Sequence, residues 1–128
     1  MNSGGAKNLR LAVCPSYHAA VELIGRRWNG VILQALLAGT TRFTELRSGI
    51  PGITDTMLTQ RLRELEDAGV VFREVANARP VEIRYGLTEV GLELSPILEA
   101  IASWSNHWID ARESEAGAEQ TGEGRNVG

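Results

Sequence analysis

The sequence predicts a mainly α-helical fold that carries one small β-hairpin. Apolar residues recur at helical spacing through most of the chain. The pattern changes to strand-like alternation, rich in β-branched residues, only between Val70 and Tyr85. A length of 128 residues fits one domain with a modest core. We therefore expect helices packed around a single hairpin.

The most clearly marked element is an amphipathic helix from Ile53 to Gly69. Thr54 is the expected N-cap, and Gly69 fits the position after the helix end, where a left-handed residue is common. The inward stripe comprises Ile53, Met57 or Leu58, Leu62 and Leu65. The first two turns carry hydroxyl, amide and guanidinium groups on the opposite side, which are groups that can bind base edges and phosphates.

The segments around this helix complete a larger motif. A short helix from Thr41 to Ser48 precedes it, and a tight break at residues 49–52 joins the two helices. Strands at Val70–Val75 and Val81–Tyr85 follow it, separated by a turn at Ala76–Pro80. A hairpin beside a helix-turn-helix is a wing, so a winged helix-turn-helix is predicted.

Two helices are expected before this motif and one after it. The first runs from Ser16, its expected N-cap, to Gly25, and the second from Trp28 to Leu37. The expected core residues of the second are Ile32, Leu33, Leu36 and Leu37. The last helix runs from Thr88 to about Ala111, and Pro96 inside it should bend it.

The apolar stripe of the last helix is too long for so small a domain to cover. We therefore expect Ile101, Trp104 and Trp108 to pack against a second copy of the chain, because tryptophan is common at buried interfaces. The alternative is that both tryptophans belong to the core of one chain.

Short motifs in order along the chain resemble the HxlR family of bacterial transcriptional regulators. The resemblance covers about Cys14 to Trp108. The motifs are Cys14-Pro15, Leu23-Ile24-Gly25-Arg26-Arg27-Trp28, Gly39-x-x-Arg42-Phe43-x-Glu45-Leu46, the run from Ile53 to Leu65, and Tyr85-x-Leu87-Thr88-x-x-Gly91. The resemblance implies a homodimeric winged helix-turn-helix that binds double-stranded DNA. Pro80-Val81 and Ile83-Arg84-Tyr85 depart from the Pro-Pro pair and Val-Glu-Tyr run of many relatives, which makes this wing more basic.

In a two-fold dimer, the two recognition helices would enter successive major grooves about 34 Å apart, so the operator should be an inverted repeat. The predicted contacts from the central helix are Thr56, Thr59, Gln60 and Arg63. Arginine suits guanine and glutamine suits adenine. Arg63 has an alternative role as the partner of Glu66 or Asp67.

Three further arginines are predicted to contact DNA. Arg42 begins the first helix of the motif, Arg79 lies at the wing tip, and Arg84 lies on a wing strand. The strand arginines Arg73 and Arg84 have the alternative of pairing with Glu74 and Glu82. Arg61 lies off the predicted DNA face.

The sequence offers two candidate sites at which a regulatory signal would act on the protein. Cys14 precedes a helix start, which favours the thiolate, and His18 lies four residues on. The resemblance implies redox or electrophile sensing at Cys14, and the alternative is a small packed residue. A small-molecule effector site between the terminal helices, lined by Tyr17, Trp28 and Trp104, is the second candidate.

Composition and charge limit which other functions and locations the sequence allows. The net charge of −3 requires phosphate contacts to come from a local patch. The termini, residues 1–10 and an acidic tail at 112–128, are expected to be disordered around a domain at 11–111.

No apolar run suggests a signal peptide or a membrane span, so a cytoplasmic location is expected. The sequence lacks patterns of catalysis, metal binding or cofactor binding. The alternative function is a winged-helix protein-interaction module without DNA binding, which should show an apolar patch on the central helix.

Overall fold

The computed structural model describes residues 14–77 and 79–127, so the predicted disordered segment at 1–10 lies outside the described residues. The chain is mainly helical with a two-stranded antiparallel hairpin, as predicted. Contacts divide it after Leu92 into two compact units. The elements are α1 (Pro15–Gly25), α2 (Asn29–Leu37), α3 (Phe43–Gly49), α4 (Asp55–Asp67), β1 (Val71–Ala76), β2 (Glu82–Leu87), α5 (Glu89–Leu92) and α6 (Ser95–Val127).

The core of the first unit is formed by aliphatic side chains from α2, α3, α4 and β1. The fully buried ones include Ile32, Leu33, Leu46, Leu58, Leu62, Leu65 and Val71. Of the two candidates for the first turn of α4, Leu58 is buried and Met57 is only half-buried. Leu37, predicted to be core, is also only half-buried, because it is the last residue of α2.

Both N-terminal helices begin one residue away from their predicted starts. Cys14, and not Ser16, occupies the N-cap position of α1, because Pro15 takes the first helical turn, where its missing N–H costs nothing. Trp28 precedes α2 with a φ of 79°, in the left-handed region, so α2 begins at Asn29. The backbone at Cys14 and at Trp28 therefore fixes where α1 and α2 begin.

The hairpin is fixed to the helices at its base. Its register runs from Val71 opposite Leu87 to Ala76 opposite Glu82. The Tyr85 N–H donates to the Thr41 carbonyl at 2.8 Å, and Arg42 forms an isolated bridge with Arg84. The segment before α3 thus pairs with β2, which ties the wing to the start of the helix-turn-helix.

The predicted helix from Thr88 to Ala111 is interrupted. Thr88 does cap its first turn, accepting a bond from the Gly91 N–H at 3.1 Å, but α5 ends at Leu92 and a new helix begins at Ser95. Pro96 is therefore the second residue of α6 and does not bend a helix interior, since a helix start needs no N–H from it.

Helix α6 passes the predicted end at Ala111 and continues to Val127. Of the segment predicted to be a disordered acidic tail, the described residues 112–127 form the last part of α6. None of the described helices is both long enough and apolar enough to span a lipid bilayer.

Candidate nucleic-acid interface

Helix α4 has one buried side and one polar side, and both follow from its sequence. The Thr54 hydroxyl caps the helix by accepting a bond from the Met57 N–H at 3.1 Å. Gly69 follows the helix with a φ of 81°, as predicted. Since three leucines anchor the inner side, the remaining side chains project away from the core. Among them Thr56, Gln60 and Arg63 are exposed and Thr59 is half-buried.

The first turn of α4 is tied to α3 by an ion pair. The Arg47 Nε lies 2.7 Å from the Asp55 Oδ1 across the turn of the motif. Asp55 also lies in the first turn, where a carboxylate is favoured by the helix dipole. The pair links the two helices of the motif directly.

Arg63 does not form the alternative pair with Glu66 or Asp67 among the ion pairs of the described residues. Its side chain instead lines a cavity between α4 and the hairpin, together with Thr59 and Arg73. Arg61 bonds to Glu64 at 3.2 Å and is only 15% exposed, consistent with its place off the polar face. The structure therefore brings Thr59 and Arg63 together and leaves Arg61 apart from them.

The two faces of the hairpin differ in character. Val71, Arg73 and Tyr85 share the inner face, where Tyr85 is 7% exposed. Glu74, Glu82 and Arg84 share the outer face. Arg73 does not pair with Glu74 within the described part of the chain, contrary to that alternative, because the two side chains point to opposite faces.

Glu82 holds both Arg42 and Arg84. Its Oε2 accepts bonds from the Arg84 Nη2 at 2.9 Å and Nε at 3.2 Å, and its Oε1 lies 3.5 Å from the Arg42 Nε. Arg42 also lies 3.8 Å from Glu45. Arg79, next to the hairpin tip, is exposed and has no ion pair in the described residues. Two predicted DNA contacts, Arg42 and Arg84, are thus paired with carboxylates of the protein, while Arg79 has no such pair among the residues that the structure describes.

At the start of α1, Cys14 is half-buried and is not in a disulfide. Hydrogen bonds from the backbone N–H groups of Tyr17 and Ser16 hold the pKa of its thiol below the ordinary value. Within the described part of the chain His18 forms no side-chain bond with the thiol, and its Nε2 lies 3.4 Å from the Glu22 Oε2. The backbone N–H groups, with a smaller contribution from the Ser16 side chain, therefore favour the thiolate here.

In the second unit, the predicted interface residues form an exposed apolar patch. Trp104 is 61% exposed, Ile101 47% and Trp108 44%. The two indole rings stack with centroids 5.4 Å apart, and the Arg112 guanidinium lies 5.3 Å from the Trp108 ring. These side chains are not packed away inside the single chain.

Comparison with protein families identifies the type of protein. The model of the HxlR-like helix-turn-helix family matches residues 23–113, which include the helix-turn-helix and the hairpin. The chain belongs to the HxlR family. It is accordingly a helix-turn-helix transcriptional regulator that binds DNA, and it is not an enzyme.

Two proteins of Bacillus subtilis (strain 168) are similar to this chain along most of their length. The HTH-type transcriptional regulator YvaP is 42% identical over 98 residues, which cover 77% of this chain and 91% of YvaP. The HTH-type transcriptional regulator YodB is 38% identical over 98 residues, covering 77% of this chain and 88% of YodB.

Solved structures agree with the winged-helix fold. Reduced YodB matches with a TM-score of 0.67 at 39% identity, covering 73% of this chain and 91% of that chain. Diamide-treated YodB matches with a TM-score of 0.64 at 39% identity, covering 73% and 93%. The redox regulator HypR in its reduced form matches with a TM-score of 0.71 at 38% identity, covering 77% of this chain and 98% of that chain.

Sequence reasoning missed one polar group that positions α4. Asn29 is fully buried, and its amide donates to the Leu23 carbonyl at 2.8 Å and to Glu64 at 3.2 Å. Arg26 lies 3.1 Å from the same carboxylate. This network ties α4 to the connection between α1 and α2. A polar residue at the start of the otherwise apolar α2 was the only sequence signal for it.

Proposed function

We propose that two copies of this chain bind one inverted-repeat operator and repress transcription there. The observation that carries the proposal is the division of α4 into a buried leucine side and an exposed polar side next to a wing. Side chains that reach base edges in the major groove must project from the protein in this way. Repression requires only that the bound dimer cover promoter DNA.

Each predicted contact has a role in this proposal. Thr56, Thr59, Gln60 and Arg63 contact bases or nearby phosphates from α4. Arg42, Arg79 and Arg84 contact the phosphate backbone from α3 and the wing. The exposed polar side of α4 lacks the apolar patch that a protein-interaction module would need, so DNA is the better partner for it.

The dimer in this proposal forms through the exposed patch of Ile101, Trp104 and Trp108 on α6. Exposed stacked tryptophans are costly in water, and burying them against a second copy removes that cost. Helix α1 has no buried residue in the single chain, with Tyr17 66% exposed and Val21 49% exposed, so it offers further apolar surface to a partner.

Regulation in this proposal acts through Cys14. Its thiolate is favoured by the backbone at the start of α1, and a thiolate is the form that reacts with oxidants and electrophiles. The relative YodB has a diamide-treated form, and the relative HypR is a redox regulator, which supports a redox input for this chain.

Selection of bound fragments from genomic DNA would test the proposal. Purified protein should enrich fragments that contain an inverted repeat, and scrambling one half-site should abolish tight binding. Treatment with diamide should change the affinity of the wild type and should leave Cys14→Ser unaffected. Failure to enrich any sequence would contradict the proposed function, while a diamide effect that persists in Cys14→Ser would remove only the cysteine from it.

A further inference from the structure

A cavity of about 540 Å³ opens between α4 and the inner face of the hairpin. Its size is within the range of sites that hold small organic molecules. All of its lining residues belong to the first compact unit. Its position next to the polar side of α4 gives any occupant direct access to the proposed DNA contacts.

Three of the residues that line the cavity are aromatic or aliphatic. Phe43, Ile83 and Tyr85 line it, and the rings of Phe43 and Tyr85 have centroids 6.5 Å apart at an angle of 46°. A planar ring placed against them would have aromatic contacts in offset or edge-to-face geometry. These side chains favour an aromatic ligand over an aliphatic one.

Two more of the lining residues are basic. These are Arg63 and Arg73, and neither has an ion-pair partner within residues 14–77 and 79–127, whereas Arg26, Arg47 and Arg84 each have one. Glu66 also lines the cavity, which leaves a net charge of one positive unit. The forked guanidinium group suits a carboxylate, which it can bind through two parallel hydrogen bonds.

We propose that this cavity binds a small aromatic carboxylate, and that the bound molecule weakens DNA binding. The ring would lie against Phe43 and Tyr85, and the carboxylate would accept hydrogen bonds from Arg73 and Arg63. The second half of the inference rests on the proposed function, because Thr59 and Arg63 are among the proposed DNA contacts. A ligand that engages Arg63 removes that side chain from DNA.

Benzoate is a suitable probe, and its binding is measured first without DNA, by calorimetry and by NMR at constant ionic strength. We expect saturable binding with resonance shifts concentrated at Phe43, Ile83 and Tyr85. Benzyl alcohol lacks the charge and inorganic phosphate lacks the ring, so both should bind at least about tenfold more weakly. Arg73→Gln should weaken benzoate about tenfold, and Arg79→Gln, which changes an arginine outside the cavity, should not.

Absence of saturable binding, shifts elsewhere in the protein, or equal affinity for Arg73→Gln would each overturn the site. Operator affinity is then measured with and without saturating benzoate. We expect benzoate to weaken the wild type at least about fivefold and to have little effect on Arg73→Gln. Undiminished affinity in benzoate would overturn the competition and leave the DNA-binding proposal intact. Benzoate binding by a protein that binds no DNA would instead defeat the proposed function, and the competition with it.

Discussion

At Glu82, a single carboxylate contacts two arginines that are proposed to bind phosphate. Its Oε2 accepts two hydrogen bonds from Arg84, at 2.9 and 3.2 Å. Its Oε1 lies farther from the Arg42 Nε, at 3.5 Å. A DNA phosphate must compete with this carboxylate for the same guanidinium groups. The acidic residue therefore lowers the affinity of the wing for the DNA backbone.

Replacing Glu82 should release Arg84 and leave Arg42 only its longer contact with Glu45. We expect Glu82→Gln to bind DNA several-fold more tightly at low salt, with a salt dependence steeper by about one unit for each arginine that gains a phosphate. Binding measured over a salt series tests this expectation. Glu74→Gln removes the same charge from the position opposite Arg84 and is the matched control. Equal gains from both variants would show that only the net charge matters.

The Cys14 thiol should titrate at a lower pH in the folded protein than in the unfolded chain. The backbone N–H groups of Tyr17 and Ser16 stabilise the thiolate and so lower its pKa, and unfolding removes them. The rate of alkylation by iodoacetamide, measured against pH, reports the thiolate fraction. We expect the midpoint of the native protein to lie below that of the protein in urea. A native midpoint at or above the value in urea would contradict this assignment.

At the scale of elements, α4 must be stably folded and must expose its polar side. Two threonines near its start allow these two requirements to be tested separately. The Thr54 hydroxyl caps the helix by accepting a hydrogen bond from the Met57 N–H, and Thr56, two residues later, is exposed. Thr54→Ala should lower the free energy of unfolding by about 1 kcal/mol.

Urea denaturation of the two variants measures this difference. We expect Thr56→Ala to keep the stability of the wild type and to lose affinity for the operator, because its hydroxyl has no capping role. Loss of stability in Thr56→Ala, or none in Thr54→Ala, would show that the cap is not where the structure has it.

The elements differ in how far the sequence could predict them. Helix α4 was predictable because its leucines repeat at helical spacing and its cap residues are local. The pairs Arg47 with Asp55 and Glu82 with Arg42 were not, since they join residues that only the fold brings together. Pro96 was misplaced because a proline in an apolar periodic stretch has the same appearance at a helix start as in a helix interior.

At the scale of the whole molecule, the account requires a dimer. Trp108→Ala removes half of the stacked pair from the exposed patch on α6. We expect this variant to dissociate to monomers at concentrations where the wild type is dimeric, as measured by sedimentation, and to lose cooperative binding to the inverted repeat. His107→Ala changes the neighbouring exposed residue and should remain dimeric. A dimeric Trp108→Ala would place the interface elsewhere.

The most direct test of the central claim, that α4 contacts operator bases, is the affinity of Gln60→Ala for the selected operator and for a scrambled duplex at one salt concentration. Gln60 is exposed on the polar side of α4, and a glutamine bonded to adenine contributes about 1–3 kcal/mol of discrimination. We predict a loss of about tenfold or more on the operator and almost none on the scrambled duplex. Equal losses on both duplexes, or no loss on either, would contradict base contact by this helix.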